Sequence, residues 1–403
     1  MTDLIGAEKS KPWPEIQPTK PRARVVHFTS SHNADDVRVF QKECQTLAEE
    51  GYQVTLVARH PRNEVVDGVQ ILGITAKAGR MGRITRLVWQ AYRMAARQNA
   101  DVYHFHDPEL ILAGLLLKLR GHKVIYDSHE AFARKLLSKP WIPRPLRALV
   151  SRSYAALERA LCRRYDHVIA ADRTTAEALP GSRVTVVANY PIITEAQQRL
   201  PARKTPRDRS VLIYVGGLER DRGIGVMLDI AEQLRERVEL RLFGRWFDPE
   251  NERRASQMSN VRFLGFEPLN VLYKEMMNAD LGLVLLQPVP AYLYAAENTV
   301  KIFEYMSCAL PVVASDFPAF RTMVGEAQCG VCVDPTDAQA ASKQILHLLE
   351  QPRLREQMGR NGRNAVLGGF NWEVEKRKLL AVYEEVSMPH ACCQGLHEPQ
   401  PNS

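Results

Sequence analysis

The residue types best suited to chemistry lie between Ala296 and Asp316, in the stretch A-E-N-T-V-K-I-F-E-Y-M-S-C-A-L-P-V-V-A-S-D. Ile302, Phe303, Tyr305 and Met306 supply an apolar face at helical spacing, and Glu297, Asn298 and Thr299 suit a helix start. Lys301 and Glu304 therefore stand near a helix N-terminus, where unpaired N–H groups favour an anion. A lysine there can neutralise phosphate, and a carboxylate can accept two hydrogen bonds from a sugar diol. A surface i,i+3 ion pair on an ordinary helix fits the same two residues. The β-branched run from Pro311 to Ser315 reads as a buried parallel strand.

Three further polar clusters follow apolar, strand-like runs: His32, Asp36 and Arg38; His104, His106, Asp107 and Glu109; Asp127, His129 and Glu130. In open parallel sheets ligands bind beyond the C-terminal strand ends, so three clusters at successive strand ends of one sheet imply a cleft. The H-x-H spacing of His104 and His106 also raises a metal, but the chain has no D-x-D carboxylate pair, and the C-x-x-C of Cys329 and Cys332 has no second Cys/His pair to complete a site. No metal is expected. A glycine turn, V-G-G-L-E-R-D-R-G-I, places Gly216 and Gly217 where backbone can approach a phosphate, with Arg222 before a helix.

Runs V-V-H-F-T-S, Y-Q-V-T-L-V-A, V-Q-I-L-G-I, D-V-Y-H-F-H, V-I-Y-D-S-H-E, H-V-I-A-A and V-T-V-V-A-N alternate with helical segments and predict one parallel sheet. A second series runs from V-L-I-Y-V-G to G-V-C-V-D. The reading is α/β, with two doubly wound domains: a disordered leader at 1–22, a first domain at 23–195, a linker at 196–209, a second domain at 210–370, a helix at 371–388 and a disordered tail at 389–403. The chain is 403 residues, comfortable for two domains. Its net charge of +8 suggests an acidic partner. Segments 76–98 and 134–164 mix cations with Trp, Leu and Met; they fit helices resting on anionic lipid and, equally, core helices with a solvated basic face. No nucleic-acid motif accompanies the charge. Without a signal peptide or a spanning apolar run, the expected location is cytoplasmic, with a peripheral place on the inner membrane face.

The stretch around K-I-F-E-Y-M and P-V-V-A-S resembles the nucleotide-sugar signature of family 4 retaining glycosyltransferases, enzymes of the GT-B fold. That resemblance implies two Rossmann-like domains facing a central cleft, with the C-terminal helix crossing back to the first. Glu304 matches the family's second glutamate, which holds the donor ribose; the first falls at Ala296, with Glu297 one place off, and Ala309 stands where Gly is usual. H-F-H-D-P-E resembles the family loop that places His106 at the donor sugar. Arg222 matches a family lysine at the diphosphate, whereas Gly217 replaces the usual arginine, leaving Lys301 or Arg245 to supply the second cation. Gly265, Phe266 and Glu267 match the base-binding loop. His32, Asp36, Arg38, Asp127, His129 and Glu130 fall on the acceptor side. The resemblance implies transfer of a hexose-type sugar from a nucleoside diphosphate sugar, UDP favoured over GDP and no metal required, to a glycan or polyprenyl-diphosphate-linked acceptor. A nucleotide-sugar 2-epimerase of the same fold and a non-catalytic glycan- or membrane-binding paralogue are the alternatives.

Overall fold

The computed structural model describes residues 22–75, 80–137, 139, 141–193, 207–290, 292–293 and 299–387, the side chains of 80–84 excepted. Glu297, residues 76–79, the tail and most of the expected leader and linker lie outside these.

Two sheets organise the chain. The first contains β1 (Arg24–Asn33), β2 (Gln53–Arg59), β3 (Glu64–Val66), β4 (Val69–Ile74), β5 (Val102–Phe105), β6 (Lys123–Ser128), β7 (His167–Ala170) and β8 (Val184–Val186), in the order β3-β4-β2-β1-β5-β6-β7-β8. The second contains β9 (Ser210–Val215), β10 (Val238–Phe243), β11 (Val261–Gly265), β12 (Leu281–Val284), β13 (Val312–Ser315) and β14 (Gly330–Val333), in the order β11-β10-β9-β12-β13-β14. All neighbours are parallel except β3 and β4, an antiparallel edge ribbon that the sequence reading missed. Central strands such as β5 and β12 are buried along their whole length, as expected of β-branched and aromatic runs covered on both faces. The strand order reverses at β1, flanked by β2 and β5, and at β9, flanked by β10 and β12. Crevices form at such reversals, and the polar loops follow these strands.

Alternation along β1 divides the first domain into two layers. Val26 and Phe28 face the helices Arg80–Ala96, Ile111–Leu119 and Arg147–Cys162. Val25 faces the other way, toward a layer that includes Val39, Cys44, Leu47, Leu379 and Tyr383. The C-terminal helix, Trp372–Ser387, thus belongs by packing to the first domain. Before the expected linker at 196–209, Tyr190 packs edge-on against Phe303 and Phe370, while Ile192 still packs with the first-domain layer.

The helix after β1 begins with π-helical winding over Val37–Cys44 and continues as an α-helix over Gln45–Glu49. The Asp36 carbonyl accepts from both Phe40 N–H (2.9 Å) and Gln41 N–H (3.4 Å). The extra residue per turn lets Arg38, Lys42 and Glu43 point inward beside Val39, Phe40 and Cys44.

Candidate active site

The loops after β1, β5, β6 and β9 meet helix Val300–Ser307 around a cleft of about 1320 Å³, lined from both domains. That volume exceeds the roughly 300–1,000 Å³ of a single small-molecule site, so it has room for more than one ligand. The sequence-chosen donor-side and acceptor-side residues among the described ones contribute to this cleft or to the layer behind it, apart from Arg245 and from Gly217 and Gly265, which shape its loops.

On the second-domain wall, Thr299 caps helix Val300–Ser307, so Lys301 lies in the first turn and Glu304 one turn on. Lys301 Nζ donates to Tyr214 Oη at 3.0 Å and sits 4.3 Å from that ring's centroid. Burial, with the Arg222 charge nearby, pushes the Lys301 ammonium down to about 7. Arg222 reaches the same cleft and donates to Glu219 at 2.6 Å. Burial raises Glu304, against the opposing charges of Lys42 and Lys301. Gly216 is required: its φ is +144°, and a Cβ there would lie 2.7 Å from Lys301 Nζ. The Gly265 turn leaves Phe266 exposed, with Glu267 on the cleft lining. Arg245 instead stacks over Phe247, 5.6 Å from its centroid, so Lys301 rather than Arg245 stands with Arg222.

On the first-domain wall, Arg38 donates from Nε and Nη2 to the two oxygens of Asp127, at 2.9 and 2.8 Å, and from Nη1 to the Val187 carbonyl at 2.9 Å. Although burial opposes it, the Arg38 and His129 charges hold Asp127 well below the usual carboxylate range. His129 Nε2 donates to the same carboxylate at 2.9 Å. Asp36 caps its helix by accepting from the Arg38 and Val39 N–H groups and from His32, whose Nδ1 lies 3.0 Å away. Burial opposes the charging of His32, but Asp36 and Asp107 raise it. Glu130 pairs with Lys135.

His106 needs correction. Its ring is buried, with Nε2 2.9 Å from His27 Nδ1 and Nδ1 3.2 Å from Asp127, so both nitrogens are committed to protein. It borders the cleft without offering a nitrogen to a donor hydroxyl. His129 and His32, 20% and 29% exposed in their side chains, are the imidazoles that face it.

Behind this wall lie groups that no motif flagged. His27 Nε2 and His104 Nδ1 approach Tyr383 Oη at 2.9 and 2.8 Å. Lys42 Nζ donates to the Asn189 carbonyl at 3.1 Å and side-chain oxygen at 2.6 Å; burial and then Arg38 push it down to about 7. Burial and the Asp127 charge push Glu43 up, although Arg38, whose Nε lies 3.1 Å from Glu43 Oε1, opposes this. Glu43 Oε2 lies 3.9, 4.0 and 3.9 Å from the Nδ1 atoms of His27, His104 and His106. Ligands sharing a tetrahedral ion with bonds of about 2.0–2.2 Å sit about 3.3–3.5 Å apart, and these nitrogens already face His106, Tyr383 and Asp127. This cluster does not fit a shared metal. The same register that pairs His27 with His104 across β1 and β5 could have been read from the two strands together, but not from either alone.

The sequence matches the family described as "Glycosyl transferases group 1" over residues 197–365 and the "Glycosyl transferase 4-like domain" over residues 37–189, most of the chain between them. The chain belongs to family 4 of the GT-B glycosyltransferases. It is 26% identical over 310 residues to the phosphatidyl-myo-inositol mannosyltransferase of Mycobacterium tuberculosis, covering 72% of this chain and 75% of that one. The Mycolicibacterium smegmatis protein of the same name is 24% identical over 358 residues, 85% of this chain and 88% of its own. Among solved structures, sucrose-phosphate synthase of Thermosynechococcus elongatus superposes with a TM-score of 0.70 at 20% identity, over 90% of this chain and 98% of that one. Anabaena HepE, solved with UDP and glucose, superposes with a TM-score of 0.67 at 16% identity, over 90% and 99%. The glycosyltransferase therefore shares their two-domain architecture, and as an enzyme of this family it leaves no place for the epimerase or non-catalytic alternatives.

Proposed function

We propose that the enzyme transfers a hexose-type residue, with retention, from a nucleoside diphosphate sugar to a glycan or polyprenyl-diphosphate-linked acceptor used in cell-surface polysaccharide or glycoconjugate synthesis. The observation that carries this reading is the pairing, across one cleft, of Lys301, Arg222 and Glu304 with the Asp127–His129 wall. Departure of a diphosphate leaves an oxocarbenium-like carbon and concentrates charge on the leaving oxygens. Lys301, Arg222 and the helix N–H groups stabilise that charge in place of a divalent ion, and one such donor is worth about 3 kcal/mol. Glu304 accepts the ribose hydroxyls. The acceptor attacks from the leaving-group face, and the departing phosphate takes its proton. Closure of the two domains limits hydrolysis.

Uracil is the base we favour, as in the UDP complexes of the HepE fold. A second reading, mannose from a GDP donor, has support in the relatives named mannosyltransferases. A thermal-shift screen against UDP, GDP, ADP, dTDP and their sugars, with and without magnesium, decides between them. A ligand at a hundred times its dissociation constant adds about 2.7 kcal/mol. A metal-independent shift lost in Glu304→Ala supports the donor site; a shift that demands magnesium rejects the cation substitution.

The acceptor side extends the reading to membranes. No helix among the described residues is long and apolar enough to cross one. The outer face of the first domain, away from the C-terminal helix, exposes Trp89, Leu112, Leu116, Leu149 and Leu157, with Trp141 exposed nearby. The relatives' names specify a phosphatidyl-inositol substrate, which supports a lipid-linked acceptor here. Sedimentation with anionic vesicles, reduced by Leu149→Ser with Leu116→Ser while nucleotide binding stays intact, would support docking; equal sedimentation would reject it.

A further inference from the structure

The buried chain from Tyr383 to the cleft has one consistent set of protons. Asp127 accepts from Arg38 and from His129, and a carboxylate has no proton to give. His106 Nδ1, 3.2 Å from Asp127 Oδ2, must therefore carry the hydrogen. Burial disfavours charge on His27, His104 and His106 alike, and a neutral imidazole has one donor and one acceptor nitrogen. His106 Nε2 is then a lone pair and takes the Nδ1 hydrogen of His27 at 2.9 Å. His27 Nε2 in turn takes the Tyr383 hydroxyl hydrogen at 2.9 Å. The Tyr383 oxygen accepts from His104 Nδ1 at 2.8 Å. Reversing the chain would let His106 Nδ1 accept from His129 Nε2 at 3.3 Å but would turn its lone pair toward the Asp127 carboxylate.

We propose that Tyr383, on the C-terminal helix, is a positioning residue: it fixes the tautomer of His104 and the ring of His27, and through His27 and His106 holds Asp127 and His129 in the orientation the cleft presents to the acceptor. The last clause rests on the acceptor-side reading above; the tautomers do not. Tyr383 suits the task because its hydroxyl lies within hydrogen-bond distance of both His27 and His104 and belongs to neither strand. Removing that oxygen leaves two buried imidazole nitrogens without that partner: His104 can then take either tautomer, and His27, still held as Nδ1–H by the His106 lone pair, loses the hydrogen bond that fixes its ring. The consequence passes through His106 to the Asp127 oxygen that His129 also uses.

Nitrogen-15 spectroscopy of histidine-labelled full-length protein tests the chain directly. His27, His104 and His106 are expected as the Nδ1–H tautomer, and protonation of any of them at Nε2 in the wild type overturns the proposal. In Tyr383→Phe, the His104 signals should average between tautomers, and those of His27, His106 and His129 should move. Turnover should fall about tenfold, the size of an outer partner's effect on an imidazole, with the donor KM changed less than about twofold. Leu379→Ala loosens the same helix in the same core without touching the chain, so it should lower stability and leave tautomers and kcat alone. Unmoved His106 signals with wild-type kcat in Tyr383→Phe, or an equal kcat loss in Leu379→Ala, reduces Tyr383 to a packing residue. Expected tautomers in a wild type that transfers no sugar would support the chain and count against the acceptor-side reading, so the two fail separately.

Discussion

The two walls of the cleft hold comparable charge and treat it differently. On the first-domain wall, Arg38 spends its guanidinium on Asp127 and a backbone carbonyl, and Asp127 collects Arg38, His106 and His129. On the second-domain wall, Lys301 has a tyrosine hydroxyl and ring for company and is discharged to about 7. The lysines make the contrast sharpest. Lys42 and Lys301 are both pushed to about 7 and both feel Glu304, yet Lys42 is tied to two oxygens of Asn189. One wall is a rigid template complete without ligand. The other pairs Arg222 with Glu219 but sets the Lys301 ammonium against a neutral hydroxyl.

If that contrast is right, breaking the first wall should damage stability and breaking the second should damage turnover. Asp127→Ala removes two charge-assisted bonds from buried Arg38, leaving it the Glu43 carboxyl at 3.1 Å and the Val187 carbonyl, and should cost about 3–5 kcal/mol, visible as a lowered denaturation midpoint. Lys301→Ala should leave that midpoint within about 1 kcal/mol while lowering kcat about 10²–10³-fold. Equal loss of stability in both variants would erase the distinction.

A pH series sharpens it. A bound diphosphate favours charged Lys301, so binding takes up a proton wherever the free amine is neutral. Affinity for UDP is then fully present below about pH 7 and falls as pH rises above it, by at most tenfold, or about 1.4 kcal/mol, per unit. Titration calorimetry in two buffers of different ionisation heat should register the uptake above pH 7. The slope should vanish in Lys301→Ala; a slope that persists there assigns the proton to Lys42 and contradicts the view of its wall as complete. The smallest effect concerns the turn behind helix Val300–Ser307. Ala309 has φ +52°, a left-handed conformation that costs a side chain about 1–2 kcal/mol. Part of that is offset by glycine's freer unfolded chain, so Ala309→Gly should raise stability by about 0.5 kcal/mol in thermal melts and leave kcat unchanged.

Legibility in the sequence followed the same division. The second wall is built from two local pieces: Lys301 and Glu304 share one helix, and Gly216, Gly217 and Arg222 share one short turn, so each piece was visible from its own spacing. The two sheets were readable because their strands are apolar runs ended by polar loops. The first wall is not local. His27 looks like a lone histidine in a core strand until register sets it beside His104. Lys42 and Glu43 look like the wet face of an amphipathic helix, and only the π-helical winding turns them inward. Family spacing pointed to His106 as the sugar contact, but a motif carries no information about which partners already occupy its nitrogens.

The C-terminal helix also sets an order of assembly. Trp372 donates to Thr46, Glu375 accepts from the Ala188 N–H, and Tyr383 meets His27 and His104, all in the domain that leaves the ribosome first. Translation at about 5–20 residues per second spends roughly 10–40 s on the intervening second domain. Throughout that interval the nascent first domain carries buried-to-be histidines without their tyrosine and a bare apolar face around Leu47 and Val54. A chaperone that binds this protein during synthesis should therefore recognise that face, and its hold should end when residue 387 clears the exit tunnel.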